Sequence, residues 1–347
     1  MSKLKIAIIC GGKSSEHEIS CVSANGILNA LDRAQFEPVL IGITKNGRWL
    51  LLPSDTNFAI INGALPVVPE SGVEINVTSQ GLFSGGKNLE IDVAFPILHG
   101  PYGEDGTIQG LLEMIGIKYV GSGVLASAVC MDKSYAKPIF ASAGLNVAPG
   151  IVVTSKDFEL PSILKLPLFV KPARSGSSRG TTKVKELSQL AAAVEHALDF
   201  DTKVIIEQAI VGKEIECAVL QADDKITVSK VGQILISDKF EFYDFHAKYL
   251  DDSMQLILPA DLPEEASRQI QQAALIAFEA AGCEGLARVD FFYSSEGKVI
   301  INEINTMPGF TPMSVYPKLI ENSGINYQLL ITKLIQTAKN RSSSITR

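Results

Sequence analysis

The run Ile6 to Cys10, entered through Lys5, is apolar without interruption, as in a strand buried on both faces, and Gly11-Gly12 then turns the chain. Ser15 and Glu18 stand at capping-box spacing before an apolar periodicity that reaches towards Leu31, which predicts a helix. A second strand is expected over Glu37 to Thr44. The glycine- and proline-marked stretch Pro53 to Lys87 reads as hairpins and loops, and a third strand runs from Asp92 to Leu98 before His99-Gly100. A helix over Glu104 to Ile115 completes an alternation of strands and helices, which implies an α/β unit with a parallel sheet covered on both faces. This unit ends near Gly121-Ser122-Gly123.

Further on, Met131 to Ala143 is expected to be helical, with Gly144 as its stop, and Leu168 to Lys171 is a strand leading into the loop Pro172 to Gly180. Val204 to Gln208 reads as another strand. Pro263 opens an alanine-rich helix that ends at Ala281-Gly282. Two strands follow, Ala287 to Tyr293 and Val299 to Asn305, joined by the polar turn Ser294 to Gly297. No internal repeat is visible, and only Asn340 to Arg347 has the character of a frayed end.

Composition narrows the function more than the fold. With 347 residues, 46% of them apolar, the chain is too long for one ordinary domain, so two or three are expected. A formal charge of -7 offers no general attraction for nucleic acid or an anionic membrane, so a phosphorylated ligand must be small and held by local positive groups. No apolar run is long enough for a membrane span or a secretory signal, and the expectation is a soluble, cytoplasmic protein. The five cysteines, Cys10, Cys21, Cys130, Cys217 and Cys283, form no CxxC pair and read as reduced, buried thiols.

Three apparent motifs fail on spacing. Gly11-Gly12-Lys13-Ser14 lacks the earlier glycine of a P-loop, whose place is held by Ala7, and the same turn lacks the dinucleotide fingerprint. His17-Glu18 is followed by Cys21 where a zinc protease needs a second histidine.

Arg288, Asp290, Glu303 and Asn305 carry more chemistry. Strand alternation puts Arg288 and Asp290 on one face, and likewise Glu303 and Asn305. If Tyr293 pairs with Lys298, Arg288 falls opposite Glu303 and Asp290 lies diagonal to it. Two carboxylates and an amide oxygen beside a guanidinium suit Mg²⁺ held jointly with nucleotide phosphates. A plain Arg288–Glu303 salt bridge with Asp290 in solvent has the same spacing. Thr306 to Gly309 then leaves the strand abruptly and presents backbone N–H groups for an oxyanion.

Lys171 precedes a loop of small residues, Ser175-Gly-Ser-Ser178, whose N–H groups can approach phosphate oxygens, and Lys133 heads the helix before it. The loop alone is equally an ordinary turn. Glu207 and Glu214 bracket a strand exit, either solvated or bonded to a ribose and an adenine amine beside Ile210. The stretch Phe242 to Tyr249 is aromatic and charged without periodicity, as in a lid that excludes water. Glu16 and His99 each follow a strand at the carboxyl edge of the first sheet, where such sheets bind ligands, although helix capping explains a lone Glu16 equally well.

Taken in order, Gly11 to Ser20, His99 to Gly110, Gly121-Ser-Gly123, Met131-Asp-Lys133, Lys171 to Gly180, Ala247-Lys-Tyr249, Arg288-Val-Asp290 and Asn302 to Gly309 resemble the D-alanine–D-alanine ligases over Lys5 to about Ile335. The resemblance implies a three-part ATP-grasp architecture, α/β with α+β portions. Its parts are an N-terminal parallel-sheet domain over 1–123 that contributes to the amino-acid site, a central subdomain over 124–212, and a C-terminal subdomain over 213–347 with lid and metal ligands. It also implies ATP-dependent joining of two D-alanine molecules through an acyl phosphate, for peptidoglycan precursor synthesis and hence cell shape, in a cytoplasmic homodimer.

The site residues follow by the same resemblance. Lys133, Lys171, Ser177, Ser178 and Lys248 meet the phosphates, and Glu207, Gln208, Ile210 and Glu214 meet adenosine. Asp290, Glu303 and Asn305 hold two Mg²⁺ ions, for which Mn²⁺ can substitute. Glu16, Ser177 and Tyr249 form a hydrogen-bonded chain that ties the lid, with Glu16 and His99 near the first amino acid. Arg288 and the Gly309 N–H face the tetrahedral oxyanion, and Lys248 and Ser314 the second carboxylate. Two positions depart from the family pattern: His246 replaces a glutamate common in the lid, and Gln208 replaces a lysine common beside the adenine.

Overall fold

The structure, a computed structural model, describes residues 2–236 and 254–341. Among these the strands form three sheets, and each serves the site differently. The first contains β1 (Leu4–Gly11), β2 (Phe36–Ile43), β3 (Trp49–Leu52), β4 (Val73–Thr78), β5 (Gly81–Ser84), β6 (Lys87–Asn88), β7 (Val93–Pro96) and β8 (Lys118–Tyr119), in the order β6-β5-β4-β3-β2-β1-β7-β8. Strands β2, β1, β7 and β8 are parallel and the rest antiparallel, so the expected parallel sheet is extended by a meander whose β3 had no clear sequence signal.

Helix α1 (His17–Ala30) covers one face and α2 (Thr107–Met114) the other. Period-two alternation explains the uninterrupted apolar run. Ile6, Ile8 and Cys10 enter the core with Cys21, Ala24 and Ile27 of α1, while Ala7 and Ile9 enter the core with Ile108 and Leu112 of α2. The Ser15–Glu18 capping box does not form. Glu16 takes the cap position without a side-chain cap hydrogen bond, and its N–H donates to Ser14 Oγ at 3.0 Å, so Ser14 rather than Ser15 braces the turn.

The helix expected over Met131 to Ala143 is α4 (Lys133–Ser142); α3 (Val124–Met131), not expected from the sequence, precedes it, and the two meet at Asp132. Asp132 is extended, and its carboxylate accepts the Ser134 N–H at 3.0 Å, so it ends one helix and caps the next. The break aims the first residue of α4, Lys133, at the site.

The second sheet, β9 (Gly150–Val153), β10 (Leu168–Pro172), β11 (Thr182–Val184) and β12 (Val204–Gln208), is antiparallel in the order β11-β10-β12-β9 and packs on α5 (Leu190–Leu198). The third has β13 (Gly212–Ala222), β14 (Lys225–Val228), β15 (Gly232–Ile236), β16 (Met254–Ile257), β17 (Leu286–Ser294) and β18 (Val299–Asn305). Its order is β16-β15-β13-β17-β18, with β14 beside β13 and α6 (Glu264–Ala280) on its core face.

The chain then returns. Helices α7 (Val315–Asn322) and α8 (Tyr327–Asn340) bury Tyr316, Leu319, Leu330, Leu334 and Ile335 in the same core as Ile6 and Phe95 of the first sheet and Leu220 and Leu286 of the third. Phe310 meets Phe95 edge-on, ring centroids 5.6 Å apart, a contact contributing roughly 0.5–1.5 kcal/mol beyond burial. The loop before α7 is thereby fixed against the N-terminal sheet.

Candidate active site

The β17–β18 hairpin sets the geometry of the site. Tyr293 pairs with Val299, Phe292 with Ile300 and Phe291 with Ile301, a register one residue off the sequence expectation. A bulge then takes up Asn302, after which Asp290 faces Glu303 and Arg288 faces Asn305. Glu303 therefore lies directly opposite Asp290 instead of Arg288. Without the extra residue the tip register would set Glu303 opposite Val289, inside the core. The bulge shifts the strand phase by one and returns Glu303 and Asn305 to the face of Arg288 and Asp290.

Arg288 pairs with Asp290, not Glu303. Its Nε and Nη2 donate to the two Asp290 oxygens at 2.7 Å each, and Nε lies 3.0 Å from Glu216 Oε2. Asn305 Nδ2 donates to Asp290 Oδ2 at 3.0 Å, which leaves the Asn305 carbonyl oxygen for a cation. Glu303 is paired with Lys133 at 3.0 Å. Among the described residues no three His, Cys, Asp or Glu side chains converge as a metal cage. The donor set is two carboxylates and an amide oxygen, all hard, which fits a Mg²⁺-like ion completed by phosphate oxygens and water.

Opposite this hairpin, Phe169 and Lys171 alternate on the cavity face of β10. Glu207 stands across from Phe169 on β12, which makes Lys171 its diagonal neighbour, and the two form an ion pair. Lys137 of α4 reaches the other Glu207 oxygen at 2.8 Å. Burial would push the Glu207 carboxyl up, but the Lys137 and Lys171 ammonium groups outweigh it and hold the pKa at about 2. Lys171 yields instead: burial, aided by repulsion from Lys137 and Lys133, lowers its pKa despite Glu207. Burial also opposes the charge on Lys133, yet Glu303 overcomes it and the net shift is upward. Lys133 Nζ further donates to the Ser175 carbonyl at 3.1 Å and so ties down the Gly/Ser loop.

Lys133, Phe169, Lys171, Ser175, Glu207 and Glu303 line one cavity, together with Ser177, Ser178, Gln208, Ile210, Glu214 and Phe292, while Lys137 stands behind Glu207. Its β10–α4 side is rich in ammonium and its β17–β18 side in carboxylate, a polarity that suits a polyphosphate carrying a divalent cation. A second cavity is lined by Glu16, Ile19, Val22, His99, Glu104, Arg288, Met307, Gly309 and Ser314. Ser177 and Glu303 border both.

Ser177 Oγ donates to Glu16 Oε1 at 2.6 Å, joining the Gly/Ser loop to the N-terminal domain. Ser177 and Ser178 hold φ of 51° and 56°, left-handed values that non-glycine residues rarely adopt and that are found at ligand-gripping loops. Gly100 permits the approach of Glu16: its φ is 72°, and a Cβ there would lie 2.8 Å from Glu16 Oε2. Glu104 receives the Gly100 N–H at 2.7 Å, and burial, reinforced by Glu16, raises its pKa to about 8.

His99 is buried with both ring nitrogens engaged, Nδ1 with the Met307 carbonyl at 3.0 Å and Nε2 with Ser23 Oγ at 3.2 Å. Burial lowers its pKa, and a neutral ring donating from Nδ1 and accepting at Nε2 satisfies both contacts. His99 thus braces the Met307–Gly309 turn. Ser314 stands at the cap position of α7 without a side-chain cap hydrogen bond, and its Oγ accepts the Thr311 N–H at 3.0 Å, beside Gly309.

The structure brings Glu16, Arg288, His99, Asn305, Gly309 and Ser314 to one cavity and Lys133, Lys171, Ser178, Glu207, Gln208, Ile210, Glu214 and Asp290 to the other, with Ser177 and Glu303 lining both. Lys248, Tyr249 and His246 lie outside the described residues. Sequence reasoning passed over Phe169, Phe292, Glu216 and Asn302, although the first three share alternation with Lys171, Asp290 and Glu214. Asn302, whose Oδ1 accepts from Lys171 Nζ at 3.2 Å, is the residue that the bulge takes up.

Comparison with known proteins gives a family match along both parts of the chain. Residues 5–122 match the family model described as D-ala D-ala ligase N-terminus, and residues 139–336 the one described as D-ala D-ala ligase C-terminus. The D-alanine–D-alanine ligase of Mycolicibacterium smegmatis is 47% identical over 364 residues, spanning 99% of this chain and 97% of its own. That of Paenarthrobacter aurescens is 46% identical, over 98% and 96%. Among solved structures, the VanG D-Ala:D-Ser ligase from Enterococcus faecalis superposes with a TM-score of 0.84 at 36% identity, covering 97% of this chain and 100% of that one. The D-alanine-D-alanine ligase from Coxiella burnetii gives 0.83 at 34%, over 98% and 95%.

Proposed function

This chain belongs to the D-alanine–D-alanine ligase family, and from that premise we propose that it joins two D-alanine molecules, converting ATP to ADP and phosphate, through an acyl-phosphate intermediate. It is a ligase of ATP-grasp architecture that works with ATP and a divalent metal. One observation carries the reading: Ser177 and Glu303 border both cavities, so a carboxylate in one can meet the terminal phosphate of a nucleotide in the other.

In this reading Lys133 and Lys171 hold the phosphates, with Ser177 and Ser178 closing over them. Glu207, engaged by two ammonium groups, acts on the nucleotide through those lysines, while Gln208, Ile210 and Glu214 take the adenosine edge. Asp290, Glu303 and Asn305 hold two Mg²⁺ ions, replaceable by Mn²⁺. Bound there, a divalent ion supplies charge neutralisation for phosphoryl transfer, in which positioning and electrostatics dominate.

Glu16, oriented by Ser177, receives the first ammonium group, and Ile19 and Val22 offer an apolar wall for a methyl side chain. The first carboxylate oxygen attacks the γ-phosphorus and ADP leaves. The second amine then attacks the acyl carbon and phosphate leaves with that oxygen. Arg288 and the Gly309 N–H stabilise the tetrahedral oxyanion, and removing one such donor typically costs roughly 10²–10³ in rate. Ser314 receives the second carboxylate, and His99 acts by holding the Met307–Gly309 turn. Lys248 and Tyr249 keep the covering role that the resemblance implies.

We take the three sheets as the cores of three parts, 1–123, 124–212 and 213–347. The enzyme is proposed to act as a cytoplasmic homodimer that supplies peptidoglycan precursors; no helix among the described residues is long and apolar enough to cross a membrane. The test mixes ATP, Mg²⁺ and D-alanine and measures ADP, phosphate and product mass, with L-alanine, D-serine and D-lactate in parallel. D-Alanyl-D-alanine as the main product supports the proposal; ATP binding without D-alanine-dependent phosphate release refutes it.

A further inference from the structure

Three carboxylates stand in a row across neighbouring strands of the third sheet, Glu216 on β13, Asp290 on β17 and Glu303 on β18, each in register with the next. The guanidinium among them serves two. Arg288 Nε and Nη2 each lie 2.7 Å from an Asp290 oxygen, and Nε lies 3.0 Å from Glu216 Oε2. The Asp290 oxygens thus already accept three N–H groups, two from Arg288 and one from Asn305. A divalent cation that takes Asp290 must loosen the Arg288 fork.

Releasing that fork has a cost set by burial. The side chains of Arg288 and Glu216 are 15% and 6% exposed. A guanidinium at that depth without a counter-ion is strongly unfavourable, and so is a carboxylate. Glu303 does not fill the gap, being paired with Lys133 at 3.0 Å. Glu216 does, since it already lies within reach of Nε on the side away from Glu303.

We propose that Glu216 is a positioning residue, a second seat that keeps Arg288 over the amino-acid cavity and makes its departure from Asp290 cheap when a cation binds. This rests on the assignment of Asp290 to the metal. Without the Glu216 charge, Arg288 stays on Asp290 and competes with the cation. Glu216 therefore strengthens cation binding without touching the cation.

Electron paramagnetic resonance titration of Mn²⁺ in the presence of ADP tests this on the full chain, with wild type, Glu216→Gln, Arg288→Ala and the double variant. Glu216→Gln should weaken Mn²⁺ binding about tenfold, a coupling of about 1.4 kcal/mol, while Arg288→Ala and the double variant should bind alike within about twofold. Unchanged or tighter binding in Glu216→Gln overturns the proposal. So does an equal loss in the Arg288→Ala background, which would make Glu216 act on the cation directly. If Glu216→Gln fails to fold, Glu216→Asp, with its charge withdrawn by one methylene, carries the same comparison. Failure of wild type to bind Mn²⁺ with ADP would instead strike the metal assignment itself.

Discussion

The two cavities share a border but are held together by different means. The nucleotide cavity is built from neighbouring strands of two sheets and one helix, and its buried charges neutralise one another locally through Lys137, Lys171 and Glu207, and through Lys133 and Glu303. The amino-acid cavity borrows its walls from distant parts of the chain: Glu16 is held by Ser177, and His99 holds Met307 across 208 residues. The first is a closed electrostatic unit, in which losing one partner leaves charge stranded. The second depends on contacts between parts, so small changes there should alter amino-acid binding and leave nucleotide binding intact.

Glu303, on the border, offers the largest break. Glu303→Gln should reduce D-alanine-dependent ADP release by about 10³-fold, a few kcal/mol of lost charge stabilisation, and should also lower the thermal midpoint, because buried Lys133 loses its counter-ion. Steady-state kinetics and a melting curve check both halves.

Glu207→Ala should act mainly on stability, because two buried ammonium groups lose their shared counter-ion; a loss of about 3–5 kcal/mol is expected by denaturant titration. The folded pKa of Glu207, about 2, lies below its ordinary 4.5. Its contribution is therefore complete above that ordinary value and disappears as pH falls towards about 2, and Glu207→Gln should flatten this acid limb.

On the amino-acid side, Glu16→Gln removes the charge that receives the first ammonium group while leaving an amide oxygen to accept from Ser177 Oγ, and it strands no cation. The KM for D-alanine should rise about tenfold, the equivalent of one charge-assisted hydrogen bond, with the KM for ATP changed less than about twofold. An equal rise in both would erase the distinction between the cavities.

Glu104 gives the finest comparison. Its folded pKa of about 8 exceeds the ordinary 4.5, so between those values the folded state holds the extra proton and stability declines as pH rises. Glu104→Gln should remove that decline, read as thermal midpoints across about pH 5 to 8.

Much of this was legible in the sequence, through period-two alternation above all. It put Arg288 with Asp290 and Glu303 with Asn305, and it would have added Phe169, Phe292 and Glu216 if carried one step further along each strand. The register was not legible, because a bulge at Asn302 leaves no mark in the pattern yet decides whether Glu303 faces the ligand or the core. Helix α3 was missed because its eight residues carry no charged face to set a helical period, whereas α4 was expected to within two residues at its start. Nothing in the pattern singles out Lys137 or Glu104 for the site, because only tertiary packing gives them their partners. His99 was expected near substrate but spends both nitrogens on Met307 and Ser23, a choice made across the whole chain.

Transfer of oxygen from substrate to phosphate tests the shared border most directly. With D-alanine labelled by heavy oxygen in its carboxylate, the account predicts one labelled oxygen in each phosphate released per dipeptide formed. Dipeptide formed together with unlabelled phosphate would contradict it.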